Sequence, residues 1–142
     1  KLVMVGDGPL KEQFQQRYPE IIFPGMLSQS NLAAYYASSD LFVFPSQTET
    51  FGNVTLEALA SGIPVLAFDC AAARDWVQRG INGWLVAENN PDGFAAQAVS
   101  VVNNKDVLDQ ITHSTRQQVV HLDWDQIAEQ VESVLWDAIR IR

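Results

Sequence analysis

The stretch from Pro45 to Val65, PSQTETFGNVTLEALASGIPV, restricts this chain to a small group of folds. Just before it stands Leu41-Phe42-Val43-Phe44, an unbroken apolar run that predicts a strand buried on both faces. Ser46 to Phe51 form a polar turn, and Gly52-Asn53 open a short helix that runs through Ala60. Gly62 and Pro64 end that helix in the expected order, and Val65 begins the next strand. A strand, a turn at its carboxyl end and a helix start make the place where open α/β sheets hold ligands.

The residue types define the chemistry of that turn. The N–H groups of a helix's first turn, with the positive end of its dipole, favour a phosphate or other anion. Gly52 lets the backbone approach such an anion because no Cβ stands in the way. Glu57 falls about one turn into the helix, where a carboxylate can accept from the vicinal hydroxyls of a ribose. Glu49 falls on the loop side, placed for hydroxyls further along a ligand. Seven residues separate the two glutamates. Together they describe a site for a diphosphate with sugars at both ends.

ETFGNVTLEALASGIPV resembles the donor-binding segment of family 4 (group 1) retaining glycosyltransferases of the GT-B fold, with its Glu-x7-Glu arrangement. VGDGP, FPGML, SSDLFVFPS, GINGWLV and LDWDQIAEQV extend the resemblance over nearly the whole chain. The implied fold is α/β, a Rossmann-like parallel sheet flanked by helices, forming the C-terminal half of a GT-B architecture. The implied function is binding a nucleotide diphosphate sugar for retaining transfer of a hexosyl unit to an acceptor. The resemblance makes Glu49 the catalytic residue and a donor-sugar ligand, and Glu57 the ribose ligand. It sets the backbone from Phe51 through Gly52 and Asn53 to Val54 near the diphosphate, with Thr50 among the donor-binding residues. Gly8 would sit in a loop facing the ligand cleft, and Gly25, Met26 and Leu27 against the nucleotide base. No metal or other cofactor is implied.

Composition bounds the alternatives. A chain of 142 residues with 47% hydrophobic content can bury a core as one domain. Charged residues make up 18%, which suits a buried parallel sheet more than a helical bundle. The net charge of −8 argues against a nucleic-acid or anionic-membrane surface. Cys70 is the single cysteine, so no internal disulfide forms, which fits a reducing, cytoplasmic compartment. No apolar run approaches the ~20 residues of a membrane span, although the full-length protein could still meet a membrane peripherally. Because the chain opens directly in a strand, residues 1–142 read as one nucleotide-sugar-binding domain. By resemblance it lacks its first strand or strands and an N-terminal acceptor domain.

Along the chain, Leu2–Val5 predicts a strand ending in the Gly6-Asp7-Gly8-Pro9 turn, followed by helix to Tyr18. Gly6-Asp7-Gly8 lacks the third glycine of a dinucleotide fingerprint, and no Walker-type Lys-Ser/Thr pair is present. Ile21–Phe23 predicts the second strand, with Pro24–Leu27 as a loop whose bland reading makes Met26 core filler. Ser28 or Ser30 caps a helix carrying Leu32, Ala33, Tyr36 and Ala37, and Tyr35 and Tyr36 read as packing residues. Pro64–Phe68 is a further strand, and the alternation calls for a parallel sheet. In the loop after it, Ala71-Ala72-Ala73 and Asp75 stand where the family carries glycines and a glutamate, and Arg74 is either a phosphate ligand or a surface charge. Cys70 reads as a small buried residue. Trp84–Val86 predicts the last strand, with helices to about Val102, over Lys105–Val120, and after an Asp123 cap. The last of these bears a wide apolar stripe, expected to pack on the sheet or to reach a partner domain. His113 and His121 read as solvated, and no metal-ligand cluster is visible.

Three other functions compete. A non-catalytic nucleotide-sugar-binding module needs the same residues. A glycoside hydrolase would use Glu49 and Glu57 as paired carboxylates, but Glu57 one helical turn in is poorly aimed at a scissile bond. A nucleotide-sugar epimerase shares the architecture. Family members also use an Arg and a Lys from a segment that would precede Lys1, so these 142 residues alone are predicted to be inactive.

Overall fold

The computed structural model describes residues 1–48, 52–119 and 124–140. Its elements follow in the order β1 (Val3–Val5), α1 (Lys11–Arg17), β2 (Ile22–Gly25), α2 (Gln29–Ala37), β3 (Phe42–Phe44), α3 (Asn53–Ala60), β4 (Val65–Phe68), α4 (Ala71–Trp76), β5 (Gly83–Val86), α5 (Pro91–Val102), α6 (Lys105–Val119) and α7 (Trp124–Arg140). The strand–helix alternation and wholly parallel pairing are those of the expected Rossmann-like α/β class. The chain divides into two compact units, Lys1–Ser38 and Ser39–Arg142.

In the first unit β1 and β2 pair in parallel, Val3 opposite Ile22 and Val5 opposite Gly25. Two steps along β1 are matched by three along β2, a bulge that falls at Pro24. Proline has no N–H to give the ladder, so the register slips there and resumes when the Gly6 N–H donates to the Gly25 carbonyl at 3.0 Å. The strand thus continues through Pro24 and Gly25, which the sequence reading had assigned to a loop. Ser28 caps α2, its hydroxyl accepting from the Asn31 N–H. Tyr35 and Tyr36 are half-buried.

The second unit is built on β4. All four of its residues are buried, and β3 and β5 flank it in parallel register, Phe42 with Val65 and Phe68 with Val86. The expectation that β3 is buried on both faces is corrected: Phe42, Val43 and Phe44 are half-buried, and β4 is the fully covered strand. Leu66, Phe68 and Cys70 form a core cluster with Phe94 of α5, the Phe68 and Phe94 rings 4.7 Å apart. α3 packs on α6, whose Leu108, Ile111 and Thr115 are buried at the helical spacing of one face. At the other end of α3, the Gly62 N–H donates to Leu59 and the Ile63 N–H to Ala58, with Gly62 left-handed at φ 81°. This pairing is a Schellman closure, and it explains why the chain turns sharply enough to enter β4.

The final helix departs from one expectation. The described apolar residues of α7 do not pack on the sheet; Val131, Val134, Leu135 and Ile139 are exposed, Val134 by 68%. Asp123 and His121 lie outside the described residues, while His113 is exposed as expected.

Candidate functional site

In the second unit the site grows from the carboxyl ends of β3 and β4. Beyond Phe44 the chain leaves the sheet at Pro45, and Ser46 folds back, its hydroxyl donating to the Thr48 carbonyl at 2.8 Å. The Cys70 thiol, buried at the end of β4, lies 3.9 Å from the carbonyl oxygens of Ser46 and Gln47. Cys70 is therefore a packing residue that joins the β4 end to the β3 loop. Glu49, Thr50 and Phe51 lie outside the described residues.

Gly52 starts α3 from the left-handed region at φ 74°, buried, with its carbonyl accepting from the Thr55 and Leu56 N–H groups. A residue with a Cβ would be strained at that angle. The left-handed turn points the first N–H groups of α3 out from the carboxyl end of β3, the geometry of an anion site. Asn53 is exposed and Val54 half-buried on that first turn. Glu57 follows one turn in, exposed, while its carbonyl accepts from both the backbone and the hydroxyl of Ser61. The structure thus brings Gly52, Asn53, Val54 and Glu57 together on one helix start.

The first unit holds the other expected residues. The Gly8 N–H donates to Asp7 Oδ1 at 2.8 Å, and the Gly8 carbonyl accepts the Lys11 N–H as α1 begins. Gly25 is buried at φ 79° and bonded to Gly6, so the turns after β1 and β2 are one assembly. Met26 is 76% exposed, which overturns its reading as core filler. Leu27 is half-buried.

Two features were missed or left open in the sequence. Arg74 is bound on both sides by carboxylates, Nε to Asp69 Oδ1 and Nη2 to Glu88 Oε1, each at 3.0 Å. Arg79 adds a third pair, Nη2 to Asp69 Oδ2 at 3.2 Å. The Arg74 guanidinium, helped by Arg79, holds the Asp69 carboxyl below its ordinary range, and Asp69 in turn raises Arg74. Arg74 is thus committed to this network, the reading of a surface charge. Ala71, where the resemblance calls for glycine, adopts φ 45°. The second feature is Lys11, whose ammonium reaches the Gly25 backbone; its only sequence signal was the i,i+4 spacing to Asp7. Among the described residues no cluster of three or more metal-ligating side chains exists, and no helix is long and apolar enough to cross a membrane.

Comparison with known proteins gives a consistent result. Residues 1–104 match the family described as Glycosyl transferases group 1. A GDP-mannose-dependent alpha-mannosyltransferase of Mycolicibacterium smegmatis is 40% identical over 73% of this chain and 27% of its own length. Among solved structures, sucrose-phosphate synthase from Thermosynechococcus elongatus superposes with a TM-score of 0.81 at 25% identity, over 99% of this chain and 39% of its own. The C-terminal domain of LpcC from Francisella tularensis, a glycosyl transferase group 1 protein, superposes with a TM-score of 0.67 at 25% identity, over 80% of this chain and 62% of its own. The chain spans less than a third of the length of the first curated relatives it matches, 29%, 21% and 27%.

Proposed function

The chain belongs to the group 1 glycosyltransferases, and from that premise we propose that it is the donor-binding domain of a retaining hexosyltransferase. It is the C-terminal half of a GT-B enzyme and binds a nucleotide diphosphate sugar for transfer of the hexosyl unit to an acceptor. An N-terminal domain of the same protein completes the site and receives the acceptor. The enzyme works in the cytoplasm, without a metal. The share of each relative that the chain covers, and its likeness to a domain solved as C-terminal, support this placement.

The observation that carries the reading is the left-handed Gly52 start of α3 with Glu57 exposed one turn in. As the bond between the sugar and the diphosphate breaks, negative charge develops on the leaving group. The first N–H groups of α3 stabilise that charge without having to reorganise. Glu57 accepts from the ribose hydroxyls and fixes the nucleotide along the helix. Glu49, with Thr50 and Phe51 beside it, meets the sugar end. In the first unit, Gly8 and the Gly25–Leu27 turn border the base.

Calorimetric titration of the chain with uridine, guanosine and adenosine diphosphates, repeated on Glu57→Ala, tests this reading. We expect selective binding that weakens at least about tenfold in the variant, the worth of a charged hydrogen bond. Binding unaffected by Glu57→Ala would put the nucleotide elsewhere. Hexosyl transfer by the 142 residues alone would overturn the two-domain reading.

A further inference from the structure

The ammonium of Lys11 occupies a position that its helix does not require. It lies in the first turn of α1, yet its side chain is only 27% exposed. Its Nζ comes 3.2 Å from the place where a Cβ on residue 25 would stand. Gly25 is therefore left-handed and also stripped of side chain at the point where the ammonium approaches the β2 end. Most surface lysines instead extend their charge into water.

The ion pair of Lys11 does not account for this placement. Asp7 Oδ1 is 3.7 Å away, a loose contact, and the same oxygen already accepts the Gly8 N–H at 2.8 Å. A pair of that kind contributes little to stability. An ammonium has three donors, and Asp7 engages one of them at the edge of bonding range. The neighbouring carboxylate does, however, set the kind of ligand. With Asp7 beside it the locality is close to neutral, so it favours a neutral oxygen acceptor over a diphosphate.

We propose that Lys11 donates a hydrogen bond to a keto oxygen of the nucleobase, and so selects uracil or guanine over cytosine or adenine. The inference rests on the nucleotide-binding reading above, in which the Gly25–Leu27 turn borders the base. Uracil and guanine carry an exocyclic keto oxygen where cytosine and adenine carry an amino group. An ammonium attracts the first and is repelled by the N–H donors of the second. Lys11 is on this account a specificity-determining residue, separate from the carboxylates and from the helix start that hold the ribose and the diphosphate.

Uridine and cytidine diphosphates make the cleanest probes, since they share ribose and phosphates and differ at the base edge. Calorimetry on the chain should find the uridine ligand about tenfold tighter, as one charge-assisted hydrogen bond allows. Lys11→Met should remove that preference by weakening uridine diphosphate while leaving cytidine diphosphate unchanged, which also shows that the variant is folded. Equal losses for both ligands, an unchanged ratio, or no preference in the wild type would each overturn the inference. If Glu57→Ala abolishes binding while Lys11→Met keeps the ratio, the nucleotide reading survives and the role of Lys11 falls. If the wild type binds no nucleotide, both fall.

Discussion

Arg74 holds Asp69 by two routes, its Nε donating to Asp69 Oδ1 at 3.0 Å and its Nη2 to the Asp69 backbone carbonyl. The same guanidinium bonds Glu88 beyond β5, so one side chain ties the β4 end, α4 and the segment after β5. A cation with this many partners is poorly placed to leave them for a phosphate. The network instead steadies the loop that borders the site.

Its pH dependence has a definite sign. The folded carboxyl of Asp69 titrates below its ordinary value of 3.8, chiefly because Arg74 bonds the ionised form. A depressed carboxyl contributes stability that is present above the unfolded value and is lost as pH falls through the folded one. Urea midpoints of the wild type and Asp69→Asn should therefore differ at neutral pH and converge below about pH 4. Curves that stay parallel down to acid would show that the ion pairs contribute nothing measurable.

Asn82 is buried and closes the connection from α4 to β5. Its Nδ2 donates to the Trp76 carbonyl at 3.0 Å, and its Oδ1 accepts the Gln78 N–H at 2.6 Å. Removing the amide strands both backbone groups, so Asn82→Ala should cost about 2–4 kcal/mol. Chemical denaturation is the measurement; a loss under about 1 kcal/mol would mean that water replaces both bonds.

Thr55 presents the opposite case. Its hydroxyl is buried in α3 without a hydrogen-bond partner. Valine has the same shape and the same β-branch, so Thr55→Val should stabilise the chain by about 1 kcal/mol. A destabilised variant would reveal a partner that the hydroxyl acquires in solution.

Ala71 is held at φ 45° at the start of α4. Left-handed backbone costs an alanine roughly 1–2 kcal/mol, while glycine returns part of that gain through its freer unfolded chain. Ala71→Gly should raise the denaturation midpoint by the equivalent of about 0.5 kcal/mol. A lower midpoint would show that the methyl group makes a contact worth more than the strain.

Much of this protein was readable in short-range pattern. The run Leu41–Phe44, the Gly52 turn, the Gly62-Ile63-Pro64 exit and the Val65–Phe68 strand are local signals, each with a local physical cause, and they recur as β3, the α3 start, the Schellman closure and β4. The family motifs overlie the same segments. Other features depend on residues far apart in the chain. Lys11 meets Gly25 because β1 and β2 pair, and Cys70 meets Ser46 because β3 and β4 pair. Apolar runs of equal quality gave no sign that β4 would be buried throughout and β3 only half. Periodicity marks a face on a helix and leaves open what covers it, so the stripe of α7 could be foreseen but not its exposure. Local sequence sets backbone preferences within a few residues; burial, charge pairing and the reach of a side chain are settled when distant segments pack.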